Sequence, residues 1–187
     1  MKKQIAILLV MSLPFVAIAE EDVAKLTAEG KGVIKAFFGD LKGELVKSMK
    51  SGGPVQTIGV CHKVAPNLSE AHSQMSGWQV ARTSLKPRNT NNAPDAWETA
   101  VLNGFEAKKA AGADPASLVH TEIVEENGRR VFRMMKAIPT AEVCTKCHGV
   151  EIPAPVVEKL DELYPEDKAR GFSVGDIRGA FTLKKAL

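Results

Sequence analysis

Bulk properties commit this chain to few partners. After residue 16 it has no apolar run long enough to cross a bilayer, so no membrane span is expected in the mature chain. It has no internal repeat and no low-complexity tract, so neither a repeat architecture nor a biased unfolded segment is expected. An excess of one charge is missing too. The formal net charge is +3 over 187 residues, and losing Lys2 and Lys3 brings it near neutrality. That balance gives no electrostatic footprint for nucleic acid or for a membrane surface. Cysteine is scarce: the chain has three, and their placement narrows the chemistry open to it.

Met1 to Ala19 reads as a secretory signal. Lys2 and Lys3 form its charged start, Ile5 to Val16 its apolar run, and Ala17-Ile18-Ala19 a small-x-small cleavage site. The apolar run is short for a membrane anchor, and Ser12 and Pro14 interrupt it. The mature chain is therefore expected to begin near Glu20, in a bacterial periplasm or similar compartment. Residues 20–187 suit a single domain with a sizeable core.

Two of the cysteines lie in Cys144-Thr145-Lys146-Cys147-His148. Paired cysteines two residues apart, followed at once by histidine, form the attachment signature of a c-type haem. One helical turn brings both sulfurs to one porphyrin edge, where each thiol adds to a vinyl group. His148 then follows in position to ligate iron as the proximal ligand. A dithiol redox pair would normally follow a strand in a βαβ pattern, and zinc would need a second paired ligand set. Neither pattern is evident. Covalent haem attachment requires export of the apoprotein, so the leader and the motif agree on one covalently attached haem c with its iron.

Cys61 is the odd thiol in an oxidising compartment. It lies in Ile58-Gly59-Val60-Cys61-His62-Lys63-Val64-Ala65-Pro66, which reads as a partly buried helical segment. One reading makes Cys61 a small buried hydrophobe. Another makes it the second axial ligand of the iron, in competition with His62, His72, His120, Met49, Met75, Met134 and Met135. Residue type and spacing do not choose among them.

Apolar residues from Val23 to Met49 recur at intervals of three and four, which predicts a long amphipathic helix over 20–49. Ser51-Gly52-Gly53-Pro54 stops it, and a second helix through Cys61 ends near Leu68 or His72. Trp78 to Leu85 alternates as a strand, with Trp78, Val80 and Arg82 on one side. A loop rich in proline and asparagine follows over 86–94, then a helix over 95–109 with Trp97, Val101, Leu102 and Phe105 on its apolar side. Strands over 118–125 and 129–138 flank the turn signal Asn127-Gly128. Thr140 is placed to cap the short helix that carries the haem cysteines. A helix over 156–163 ends at Tyr164-Pro165, and 175–183 reads as a turn and a final strand. The pattern is α+β, unlike the small all-helical cytochromes c.

Several stretches together carry a resemblance. They are Val60-Cys61-His62 with Ala65-Pro66, Gly77-Trp78, Arg82 to Asn89, Asn92 to Glu98, Cys144 to Gly149, Tyr164-Pro165, and Gly175 to Phe181. The chain resembles a family of periplasmic haem c proteins and sensor modules formerly classed as a domain of unknown function. The resemblance covers nearly the whole mature chain. It implies a PAS-like antiparallel sheet with flanking helices and a long N-terminal helix. It also implies His/Cys axial ligation, carried over here as His148 proximal and Cys61 distal. In that family the domain occurs alone or fused to histidine kinases, and no transmitter is read after the last strand.

An anionic thiolate favours ferric over ferrous iron, so His/Cys ligation lowers the potential relative to His/Met. A thiolate that leaves on reduction would open the iron to a small gas such as CO or NO. The basic residues Arg82, Lys86 and Arg88 are candidates to pair with haem propionates. They fit ordinary charges on a solvated loop equally well. The first functional expectation is a redox or gas sensor. The second is a periplasmic cytochrome c carrying electrons between partners. Enzymatic chemistry would need an open iron site with an acid–base group, and none is expected. The partner is a periplasmic redox or signalling protein whose identity is not written in the chain.

Overall fold

The computed structural model of the chain describes residues 17–187. The signal expected over 1–19 therefore falls almost entirely outside the described residues. The first element, α1 (Ala17–Ser76), is two helical arms joined at Gly53, whose φ of 68° and ψ of −169° break the helix. A left-handed φ suits glycine, and Pro54 restarts the helix at once. The Ser51-Gly52-Gly53-Pro54 stop thus works as a reversal rather than as a loop. The arms lie side by side. Thr57 Oγ1 donates to Ser48 Oγ at 3.1 Å, and His72 Nε2 sits 2.9 Å from Asp40 Oδ2 with its ring edge-on to Phe37. The second arm runs through Pro66 and ends at Ser76, where Gly77 adopts a φ of 71°.

The sheet has the order β1-β4-β3-β2 and is antiparallel throughout. Its strands are β1 (Gln79–Thr83), β2 (Val119–Glu126), β3 (Arg129–Pro139) and β4 (Ile177–Ala186). The β2–β3 hairpin turns at Asn127 and Gly128, with φ of 54° and 74°. Two positive φ values in a two-residue loop match the twist of the flanking strands, which is why Asn-Gly signals this turn. The final strand is longer than its sequence signal and sits centrally, between β1 and β3.

Each face of the sheet has its own core. On one face Trp78, Val80, Phe132, Met134, Phe181 and Leu183 pack with Ile34 and Phe37 of α1. On the other, Met135, Ala137, Ile177 and Ala180 pack with Val101, Leu102 and Phe105 of α2 (Ala96–Ala110). Successive strand residues point to opposite faces, so the neighbours Met134 and Met135 serve different cores. Each fully buried large apolar side chain contributes about 1.5–3 kcal/mol. Asp95 and Glu98 cap α2 reciprocally, with the Glu98 N–H donating to Asp95 at 2.8 Å and the Asp95 N–H to Glu98 at 3.0 Å. Trp97 is half-buried and lies 4.1 Å from the Arg133 guanidinium. The α+β class, the antiparallel sheet with flanking helices and the long N-terminal helix are as the sequence predicts.

One expectation is corrected. Thr140 does not cap α3 (Glu142–His148); the boundary residue is Ala141, which makes no side-chain bond. Backbone pairing explains the difference. The Thr140 N–H donates to the Asp176 carbonyl at 2.7 Å and its carbonyl accepts from Gly175 N–H at 2.9 Å. The Thr140 hydroxyl is left buried with no hydrogen-bond partner among the described residues.

Candidate functional site

The site is built on the short helix α3 and on the chain that wraps back across its end. Cys144 and Cys147, three apart, share one helical turn and are both half-buried. The turn closes tightly at Gly149, where an added Cβ would lie 2.5 Å from the Thr145 carbonyl oxygen. After α4 (Ala154–Leu163) the chain returns. The Gly171 N–H donates to the Gly149 carbonyl and the Phe172 N–H to the His148 carbonyl, both at 2.9 Å. His148 is thereby held by its own backbone before its side chain engages anything.

The imidazole is then fixed from behind. His148 Nδ1 lies 2.8 Å from the Ala169 carbonyl oxygen. A carbonyl can only accept, so Nδ1 carries the hydrogen and Nε2 is left with its lone pair. Burial pushes the His148 pKa well down, and the charges of Arg178 and Arg88 add to that. A neutral ring with a free Nε2 is the form that binds a metal.

Arg88 ties the segments together. Its Nη2 donates to the Cys147 carbonyl at 2.5 Å and to the Ala169 carbonyl at 3.2 Å, and its Nε to Asp167 Oδ1 at 3.1 Å. Burial pushes the Asp167 carboxyl up. Bonds from Arg170, Arg88 and the Ala169 N–H outweigh that and hold it below the usual carboxylate range.

Cys61 reaches the same place from α1. Ile58, one turn before it, packs with Val156 and Leu160 of α4 in a third core cluster that Cys147, Ile152, Leu163 and Tyr164 also join. Burial pushes the Cys61 thiol up, while the charges of Arg82 and Arg88 pull it down. The Cys147 thiol is raised by burial and further by Cys61 and Cys144, with Arg88 opposing. The three thiols and two guanidinium groups therefore share one local field. Burial and the neighbouring Cys61 likewise raise the Tyr164 hydroxyl, and its ring meets His62 edge-on at 4.9 Å.

The other candidates fall differently. His62 borders the site, and its Nδ1 is buried without a hydrogen-bond partner among the described residues. His72 is bound to Asp40, and His120 lies beside Trp97 with ring centroids 5.5 Å apart. Met134 and Met135 belong to the two sheet cores, Met75 is exposed, and Met49 is half-buried on the first arm of α1. Arg82 is half-buried on β1, with the charges of Cys61 and Tyr164 opposing the fall that burial imposes on its pKa. Lys86 is exposed, its ammonium 5.4 Å from the Phe172 ring centre. A surface groove of about 300 Å³ runs past Lys86 and Phe172 and another of about 390 Å³ past Trp97 and His120, and neither is lined by a cysteine.

Sequence reasoning did not single out Arg178, Asp167, Ala169 or Phe172. Arg178 lies inside the recognisable run from Gly175 to Phe181 but carried no role there. Ala169 acts through its carbonyl, so its side chain gives no signal. Asp167 is one acid among many until burial sets it apart.

Three comparisons bear on the chain. No curated protein matches it. The crystal structure of the cyanobacterial heme-protein Tll0287 shares the fold, with a TM-score of 0.63 at 23% identity over 89% of this chain and 96% of that one. A family model described as Tll0287-like matches residues 12–185. The chain belongs to the Tll0287-like family.

Proposed function

We propose that this chain is an exported periplasmic haem protein. In this reading it binds one haem c through Cys144 and Cys147, with His148 and Cys61 as axial ligands, and serves as a sensor of redox state or of a small gas such as CO or NO. The observation that carries the reading is the convergence of Cys61 on the Cys144/Cys147 turn while His148 keeps Nε2 free. The solved relative of the same fold is a haem protein, which supports the cofactor. We read the antiparallel sheet with helices on both faces as PAS-like.

The residues present fit such a group. Two cysteines share one helical turn, a neutral imidazole is fixed through Nδ1, and a third cysteine stands beside two guanidinium groups. Haem supplies a one-electron iron couple and, when a ligand leaves, a place for a diatomic gas. The remaining work belongs to the protein. Ala169 holds the His148 proton on Nδ1, Arg82 and Arg88 oppose the rise that burial imposes on the Cys61 thiol, and Ile58, Leu160 and Tyr164 pack beside Cys147.

The test is the electron paramagnetic resonance spectrum of the ferric protein, matured with c-type haem attachment factors, beside a Cys61→Ala variant. A low-spin thiolate signal present only in the unsubstituted protein supports His148/Cys61 ligation. The same signal in both removes Cys61 from the iron and favours an electron-carrying cytochrome, with His62 as the neighbouring replacement ligand. Loss of the sixth ligand on reduction, with CO uptake, separates sensor from carrier.

A further inference from the structure

Arg178, in β4, is half-buried. Its Nη1 donates to Ser84 Oγ at 3.0 Å and to the Lys86 carbonyl at 3.2 Å, and its guanidinium lies 5.2 Å from the Phe172 ring centre. Ser84 is itself buried and held, donating to the Arg178 carbonyl at 2.8 Å and accepting from the Lys86 N–H at 3.1 Å. These contacts aim Arg178 Nε at His148 Nδ1, 3.2 Å away.

The Arg178 Nε–H points at the same nitrogen that faces the nearer Ala169 carbonyl, at 2.8 Å, so the longer contact chiefly sets a fixed positive charge against the back of the ring. A carboxylate in that position would strengthen the imidazole as a donor. A guanidinium does the reverse, and the fold holds it there with two acceptors and an aromatic ring.

We propose that Arg178 is a positioning residue for the proximal histidine whose charge raises the reduction potential of the iron, against the lowering effect of a thiolate ligand. The inference rests on the haem reading above. A positive charge near the iron favours the ferrous form, which carries one positive charge less, so the potential rises. Arg178 and Cys61 would then shift the working potential in opposite directions.

The experiment is a spectroelectrochemical titration of the haem-loaded protein and of Arg178→Gln, Arg178→Lys and Ser84→Ala. The expected result is a lower midpoint potential for Arg178→Gln and a potential near the parent for Arg178→Lys. Ser84→Ala, which frees the guanidinium from one anchor, is expected to shift the same way by less. Equal shifts in the Gln and Lys variants would mean that only the shape of Arg178 matters, and would overturn the proposal. So would an unchanged potential in Arg178→Gln or, should that variant not fold, in Ser84→Ala. Absence of haemochrome absorbance from the unsubstituted protein would sink the haem reading and this inference together. Normal haem loading with an unmoved potential would sink this inference alone.

Discussion

Arg88 Nη2 donates to the carbonyl of Cys147 at 2.5 Å, joining two residues 59 positions apart. The same guanidinium holds the buried Asp167 carboxylate and the Ala169 carbonyl that orients His148. A residue read from sequence as a candidate propionate partner also holds the cysteine turn to the returning chain. Arg88→Ala leaves Asp167 with one guanidinium and frees two carbonyls. The expected loss is about 3 kcal/mol, read from the denaturant midpoint. Arg88→Lys is expected to recover little, because an ammonium cannot reproduce the planar fork that serves three acceptors.

Asp167 gives the stability a defined dependence on pH. Its folded carboxyl is held below the ordinary value of 3.8, so the folded state binds protons less readily than the unfolded one. Its contribution is complete above that ordinary value and is lost as pH falls through the lowered one. Asp167→Asn is expected to unfold at lower denaturant than the parent at neutral pH. The gap should close as both are acidified below the folded carboxyl's titration. A gap of constant size down to strong acid would contradict the assignment.

At Gly30, α1 lies close against the sheet. A Cβ there would lie 2.6 Å from Met134 Sδ, under a fully buried side chain. Gly30→Ala is expected to cost about 1–3 kcal/mol through overpacking, despite alanine's better helix propensity. Adding Met134→Val should recover part of that loss. The interaction term of a double-mutant cycle on thermal melts measures the recovery.

Gly179 admits no such rescue. Its Cβ would lie 2.3 Å from the Thr83 carbonyl oxygen, a backbone atom held in the β1–β4 pairing. Gly179→Ala is expected to cost more than Gly30→Ala and, being next to Arg178, to alter the spectrum of the haem-loaded protein. Circular dichroism melts and the Soret position together check both parts.

Much of the fold is legible in the chain because the signals are local. The intervals of three and four before Met49 specify a helix, Gly53-Pro54 its reversal, and Asn127-Gly128 a turn with two positive φ values. Cys144, Cys147 and His148 are equally local: their spacing alone puts two thiols on one helical turn. Thr140 shows the limit of such reasoning. It carries a capping signal, but pairing with Gly175 and Asp176 fixes its backbone instead.

What local signals cannot contain is which distant segments meet. Nothing around Cys61 says that its helix packs on α4 beside Cys147; that comes from burying Ile58 against Val156 and Leu160. Nothing around Arg178 says that it faces His148; that comes from β4 lying next to β1, which brings Ser84 and Lys86 under its guanidinium. Helices, hairpin and cysteine turn are written in the chain itself, because short-range sterics and hydrogen bonds act over a few residues. The second thiol, the clasp around His148 and the charge behind it come from packing alone, because apolar burial joins surfaces without regard to their distance along the chain.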